Sequence, residues 1–204
     1  MDRLKLPPWD GAPLPDSAVR DRMATLARQN WVETTRYCER CGAALERLDG
    51  HAVCSDCGGN VFPRIDPSVI VAVLDATDRL FLAHNALWEA GRVSLLAGFV
   101  EAGESCENAL YREVVEESGL VISAYRYLGS QPWPYPRSLM LGYVARSGGE
   151  ATVDGREITW GDWYSRERLR ALVADATVGL PREGSIARAI IDAWLAGELP
   201  APEG

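Results

Sequence analysis

The chain has 204 residues, with 21 Lys plus Arg against 29 Asp plus Glu, a net charge of −8 in a sequence 47% hydrophobic and 25% charged. That length suits one medium domain with a small appended module at most, and the composition is globular rather than disordered or fibrous. The acidic balance argues against generic phosphate-backbone binding, and the longest apolar run, Val69 to Leu74, is far too short to span a membrane.

The opening MDRLKLPPWDG lacks the apolar stretch of a secretory signal, so a cytoplasmic protein is expected. Residues 1–16, rich in Pro and polar groups, read as a surface arm. From Asp16 to Gln29 the spacing of Val19, Met23, Leu26 and Ala27 predicts one apolar helical face, with Asp16 or Ser17 as N-cap. Four cysteines follow as two pairs, Cys38-x2-Cys41 and Cys54-x2-Cys57, twelve residues apart. Each CxxC turn can aim two thiolates at one point, so two turns suit a tetrahedral S4 site for structural Zn2+; a redox dithiol is the alternative. Gly42 and Gly58, just after the pairs, suit such knuckles, and a small hairpin fits the spacer. Residues 37–66 carry three Arg (Arg40, Arg47, Arg64) against five acids (Glu39, Glu46, Asp49, Asp56, Asp66), which favours a structural ribbon over a nucleic-acid-binding one. The expected division is an arm and helix over 1–36, a zinc ribbon over 37–65 and a main domain over 66–199.

After Pro67, SVIVAVL reads as a buried strand, RLFLAH as a second and VSLLAG as a third ending at Gly98. A helix is predicted over 105–118, stopped by Gly119. Strands at 121–131, 138–146 and 157–164 precede helices at 165–174 and 185–196. Strands interleaved with helices imply an α/β fold with a mixed sheet covered on both faces.

The chemistry concentrates in GFVEAGESCENALYREVVEESGL, residues 98–120. Glu113, Glu116 and Glu117 lie within an arc of about 100° on the predicted helix, and like charges at these spacings repel unless a counter-charge, such as a hard divalent cation, offsets them. A plain solvated charged face is the competing reading. Cys106, Leu110 and Val114 form the stripe that anchors the helix; Arg112 points to another side, with Glu104 as its ion-pair candidate. Gly98 and Gly103 are read as letting the loop approach a phosphate. From Gly98 the segment runs G-x5-E-x7-R-E-V-x-E-E-x-G-L, and over all 23 positions it resembles the signature of the Nudix hydrolases.

That resemblance implies an α/β/α sandwich that hydrolyses a nucleoside diphosphate linked to another group with Mg2+ or Mn2+. By the same resemblance Glu113, Glu116 and Glu117 are catalytic metal ligands, Glu116 alternatively a base acting through water. The main-chain carbonyl of Ala97 is a further ligand, and Glu157 in DGREITWGDW is the acidic residue supplied from outside the signature; a surface glutamate is the other reading of Glu157.

A second segment, Ser130-Gln131-Pro132-Trp133-Pro134-Tyr135-Pro136-Arg137-Ser138, has three prolines in five residues and reads as a rigid extended loop after a strand. It is similar to the SQPWPFPxS marker of the NADH pyrophosphatase subgroup, with Tyr135 in place of Phe; the upstream ribbon and LPREGSIAR near the C-terminus resemble that subgroup too. The similarity implies cleavage of NAD(H) to nicotinamide mononucleotide and AMP, and extends to removal of NAD caps from RNA 5′ ends. Phe62, Phe99, Gln131, Pro132, Trp133, Pro134, Tyr135, Pro136, Arg137, Ser138 and Ala187 are then expected to line the nucleotide pocket, although Phe62 and Phe99 also read as core and Trp133 as loop filling. A homodimer is implied as well, and members of the subgroup carry a further domain where 36 residues precede the ribbon here. The competing functions are hydrolysis of ADP-ribose or diadenosine polyphosphates and, in another class, a non-catalytic nucleotide sensor or zinc-ribbon nucleic-acid binder.

Overall fold

The computed structural model describes residues 17–202, in two compact units. The expected arm over 1–16, the Asp16 cap and the side chains of Ser17 and Val19 lie outside the described residues.

One unit comprises residues 17–66 and 132–139. Helix α1 (Ser17–Thr34) buries Met23 and half-buries Leu26 and Ala27. It runs five residues past the predicted end because Trp31 is held by a tertiary contact, the Arg47 guanidinium lying 4.3 Å from its ring centroid. Three short strands, β1 (Leu45–Arg47), β2 (Ala52–Cys54) and β3 (Asn60–Val61), form an antiparallel sheet, so the spacer between the cysteine pairs is indeed a hairpin. Gly42 and Gly58 have φ of 77° and 66°, and their N–H groups return to the carbonyls of Cys38 and Cys54. Residues 134–137 turn back within this unit. The Asn30 carboxamide donates to the carbonyls of Pro134 (2.8 Å) and Pro136 (3.0 Å), and Arg137 pairs with Asp66 at 2.7 Å.

The other unit, residues 67–131 and 140–202, carries the expected α/β/α sandwich. Its mixed sheet contains β4 (Asp66–Leu74), β5 (Leu80–Asn85), β6 (Leu96–Phe99), β7 (Val121–Trp133), β8 (Ser138–Gly148) and β9 (Ile158–Tyr164), in the order β7-β8-β4-β5-β9 with β6 on β4. Side-chain alternation along β4 divides the core. Val69, Val71 and Val73 pack toward Ala109, Leu110 and Val114 of α2 (Cys106–Ser118), while Ile70, Ala72 and Leu74 pack toward Leu169 of α3 (Arg166–Ala174) and Ile186, Ile190 and Trp194 of α4 (Ile186–Ala196). Burial on both faces is why this strand reads as a continuous apolar run.

Two further boundaries that differ from the sequence reading lie near the site residues. The third strand starts at Leu96 rather than Val93, with only Ser94 bridging to Ala83 before it. Pro132 lies inside β7 rather than in a loop, and only residues 134–137 form the turn. β7 is the last strand in the sheet order, and edge strands are where a proline is tolerated.

Candidate active site

Helix α2 is locally well specified. Ser105 caps its start, accepting from the Asn108 N–H at 3.1 Å, and Gly119 closes it in the left-handed region at φ 66°. Its buried stripe of Ala109, Leu110 and Val114 sets the rotation of the helix, and that rotation turns Glu113 and Glu117 onto β6. Glu113 lies directly over the Cα of Gly98: a Cβ at that position would overlap the Glu113 carboxyl group. The acid seated on Gly98 thus leaves no room there for a Cβ.

Glu117 is 7% exposed and accepts one hydrogen bond, from the Ala97 N–H at 3.1 Å. Burial first, then the negative charge of Glu113, pushes its carboxyl up to about 8; Glu157 and Asp154 add to the rise, and the Ala97 N–H opposes it. Burial likewise raises Glu113, with Arg112 pulling the other way and the charges of Glu116 and Glu157 adding to the rise. A buried carboxylate with one donor and several negative neighbours is an electrostatic deficit that a hard cation would fill.

Arg112 does not point away from the acids. Its guanidinium takes both oxygens of Glu104 at 2.9 Å, Glu113 at 2.8 Å, Glu116 at 3.0 Å and the Phe99 carbonyl at 2.8 Å. Glu104 foremost, then Glu113 and Glu116, keeps it charged, and Arg112 in turn holds Glu104 below the usual carboxylate range. Helical rotation alone placed Arg112 on another side, but its long side chain folds back over the acidic face. The usable signal was the Arg112–Glu116 spacing of four residues. Part of the counter-charge attributed to metal is thus supplied by the chain.

Glu116 is mostly exposed, and Glu157 stands exposed just before β9, with the Asn85 amide 3.4 Å from its carboxylate. Ala97 lies mid-β6, paired with Ile70. Oxygen donors alone, as in this set, suit Mg2+ or Mn2+ rather than a thiophilic metal. Among the described residues, however, only the four cysteines form a group of three or more with metal-ligating atoms all within 4.8 Å of one another; Glu113 and Glu116 are held on Arg112.

In this same unit Phe99 is exposed at the end of β6. Gln131 is buried, its amide donating to the Gly184 carbonyl at 2.8 Å and its oxygen accepting from the Ile186 N–H at 2.7 Å, so it closes the start of α4. Ala187 is buried in the core between sheet and α4. In the ribbon unit Phe62 is exposed and stacked on His51 with ring centroids 5.4 Å apart, and Trp133 meets Tyr135 edge-on at 5.1 Å. Pro134 and Ser138 are buried there, whereas Pro132, Tyr135, Pro136 and Arg137 are exposed.

Cys38, Cys41, Cys54 and Cys57 converge, with Sγ–Sγ separations of 3.8 Å for Cys38–Cys57 and 3.3 Å for Cys41–Cys54. Main-chain N–H groups of Cys57 and Asp56 lower the Cys54 thiol to about 6. An N–H from Ala43 favours a Cys41 thiolate, but the sulfurs of Cys54, Cys57 and Cys38, together with desolvation, outweigh it and raise that thiol to about 12. Four sulfurs gathered at one point form a donor set that fits zinc.

Residues 64–182 match the family described as the NUDIX domain, which is more than half of the chain. The chain belongs to the Nudix family. Curated Nudix relatives include the NAD-capped RNA hydrolase NudC of Mycobacterium bovis (strain BCG / Pasteur 1173P2), 43% identical over 181 residues, covering 83% of this chain and 58% of that one. The NAD-capped RNA hydrolase NudC of Pseudomonas aeruginosa (strain LESB58) is 41% identical over 176 residues, covering 85% of this chain and 60% of that one. This Nudix chain therefore spans about three fifths of the length of those relatives. Its fold is shared with a crystal structure of a NUDIX hydrolase from Nitrosomonas europaea, at TM-score 0.57 and 18% identity over 66% of this chain and 80% of that one. No helix among the described residues is long and apolar enough to cross a membrane.

Proposed function

We propose that this Nudix protein is a metal-dependent pyrophosphohydrolase that adds water across the diphosphate of NAD(H), giving nicotinamide mononucleotide and AMP, and that it acts on the same linkage in NAD-capped RNA 5′ ends. The observation that carries the reading is the buried Glu117 carboxyl, beside Glu113 and fed by one main-chain N–H. The relatives named NAD-capped RNA hydrolase and the Gln131–Ser138 segment support the choice of substrate.

Glu113, Glu116, Glu117 and Glu157, with the Ala97 carbonyl, would hold Mg2+ or Mn2+. When bound, the cation supplies positive charge for the phosphoryl oxygens and makes water more acidic. Arg112 keeps Glu113 and Glu116 oriented through its hydrogen bonds and fixes the strand end that bears Phe99. The exposed ring of Phe99 is then free to stack on the nucleotide. In the ribbon unit Phe62, Pro132, Trp133, Pro134, Tyr135, Pro136, Arg137 and Ser138 are assigned to nucleotide recognition; in the other unit Gln131 and Ala187 are given the same role. Gln131 and Ala187, being buried, would act by shaping the wall rather than by contact through exposed atoms. Zn2+ held by Cys38, Cys41, Cys54 and Cys57 would be structural. Reduced thiols suit a cytoplasmic setting, and a homodimer is the proposed assembly.

The test is turnover of NADH, NAD+, ADP-ribose and an NAD-capped oligonucleotide with Mg2+ or Mn2+, with product identification and Glu117→Gln in parallel. Nicotinamide mononucleotide and AMP from wild type, lost in Glu117→Gln, are expected. Equal inertness of both proteins toward every substrate overturns the catalytic reading; preference for ADP-ribose overturns the substrate.

A further inference from the structure

The acid outside the signature, Glu157, stands where it should not stay unaided. Its charge opposes those of Glu113 and Glu117 and its side chain is exposed, so repulsion and solvation together favour swinging it outward. The structure shows what restrains it. Strands β5 and β9 pair in regular register from Leu80 and Tyr164 to His84 and Trp160, then the register shifts between His84 and Asn85 so that Asn85 faces Ile158. Such a bulge re-aims the chain. Here it sets the Ala86 N–H on the Glu157 carbonyl at 2.9 Å and the Asn85 amide 3.4 Å from the Glu157 carboxylate.

Asp154 restrains the same residue from the other side. Its carboxylate accepts three consecutive main-chain N–H groups, Arg156 at 3.2 Å and Ile158 at 2.9 Å on Oδ1 and Glu157 at 3.1 Å on Oδ2. The Gly155 N–H completes the turn on the Ile158 carbonyl at 3.0 Å. With both oxygens committed to the backbone, Asp154 is poorly disposed to bind a cation itself, although its sequence neighbourhood is acidic.

We propose that Asp154 is a positioning residue: it locks the backbone of residues 156–158 and so holds the exposed Glu157 side chain at the β5–β9 bulge, where it can join Glu113 and Glu117 on a cation. This rests on the reading of Glu157 as a metal ligand. Replacing Asp154 leaves every carboxylate of the set in the chain; it removes the restraint on one of them, together with the Asp154 charge that acts on Glu117.

The experiment measures Mn2+ binding by the loss of the free-ion paramagnetic signal, together with kcat, for wild type, Asp154→Ala, Asp154→Asn, Glu157→Gln and the double variant Asp154→Ala/Glu157→Gln, each checked for native melting. Asp154→Ala is expected to weaken Mn2+ binding by about 10–100-fold. Asp154→Asn, which keeps one acceptor oxygen, should recover part of that loss. The double variant should bind no more weakly than Glu157→Gln alone, because Asp154 acts through Glu157. If Asp154→Ala does not fold, the same cycle is run with Asp154→Asn. Additive losses, or unchanged Mn2+ binding in the Asp154 variants while Glu157→Gln binds weakly, overturn the positioning role alone. Unchanged binding in Glu157→Gln overturns the ligand reading of Glu157 and the positioning role with it.

Discussion

Replacing Glu117 by Gln should make the protein more stable at alkaline pH while abolishing turnover. The Gln oxygen can still accept from the Ala97 N–H, so the 3.1 Å hydrogen bond survives and only the ionisable proton is lost. In the folded chain Glu117 releases its proton near 8 instead of the ordinary 4.5, because it is buried beside Glu113. Between those two values the native state holds a proton that the unfolded chain has released, so stability falls as pH rises across the window. Above about 8 the full penalty is present; below about 4.5 it vanishes. At about 1.36 kcal/mol per pKa unit the gap sets a ceiling of about 5 kcal/mol, and local relaxation brings the expectation to about 2–4 kcal/mol.

The assay is urea unfolding of wild type and Glu117→Gln at half-unit steps from pH 5 to pH 9, without added Mg2+ or Mn2+. Glu113 also titrates in this direction and is present in both proteins, so the difference curve reports Glu117 together with its coupling to Glu113. That difference should be smallest at the acid end and grow in favour of the variant up to about pH 8. Added Mn2+ should reverse the order, since only wild type has the complete ligand set. Parallel curves, or a variant less stable than wild type at pH 9, would refute the reasoning.

Gly98→Ala should leave the fold largely intact, because the overlapping atoms belong to the movable end of Glu113. Displacing that carboxylate breaks its 2.8 Å bond to Arg112, at a cost of about 1–3 kcal/mol in urea melts, with kcat reduced about 10–100-fold; wild-type kcat would show that Glu113 is not needed where it lies. Cys38→Ser should lose bound zinc, read by atomic absorption, and open residues 37–65 to limited proteolysis. Retained stoichiometric zinc with wild-type resistance would mean that the four thiols do not act as one site.

The elements governed by short-range rules were legible in advance. Helix α2 has its cap at Ser105, its apolar stripe and its stop at Gly119 within fifteen residues, and the cysteine knuckles are equally local. Errors arose where distant groups intervened. Trp31 extends α1 because Arg47 lies over it, and β7, an edge in the sheet order, runs through Pro132. The helical angle of Arg112 says nothing of how far its flexible guanidinium reaches, and it reaches Glu116.

Composition and spacing were enough to name the acids, the thiols and the family signature, since those depend on residue type and on intervals of a few positions. What each group does was settled only by folding. Gly98 has the Glu113 carboxyl seated on it, the turn of residues 134–137 is held by Asn30 more than a hundred positions away, and Glu117 keeps its proton because the packed sheet excludes water from it. Proton affinity and pairing depend on solvent exclusion and through-space charge, and neither exists until segments remote in the chain are brought together.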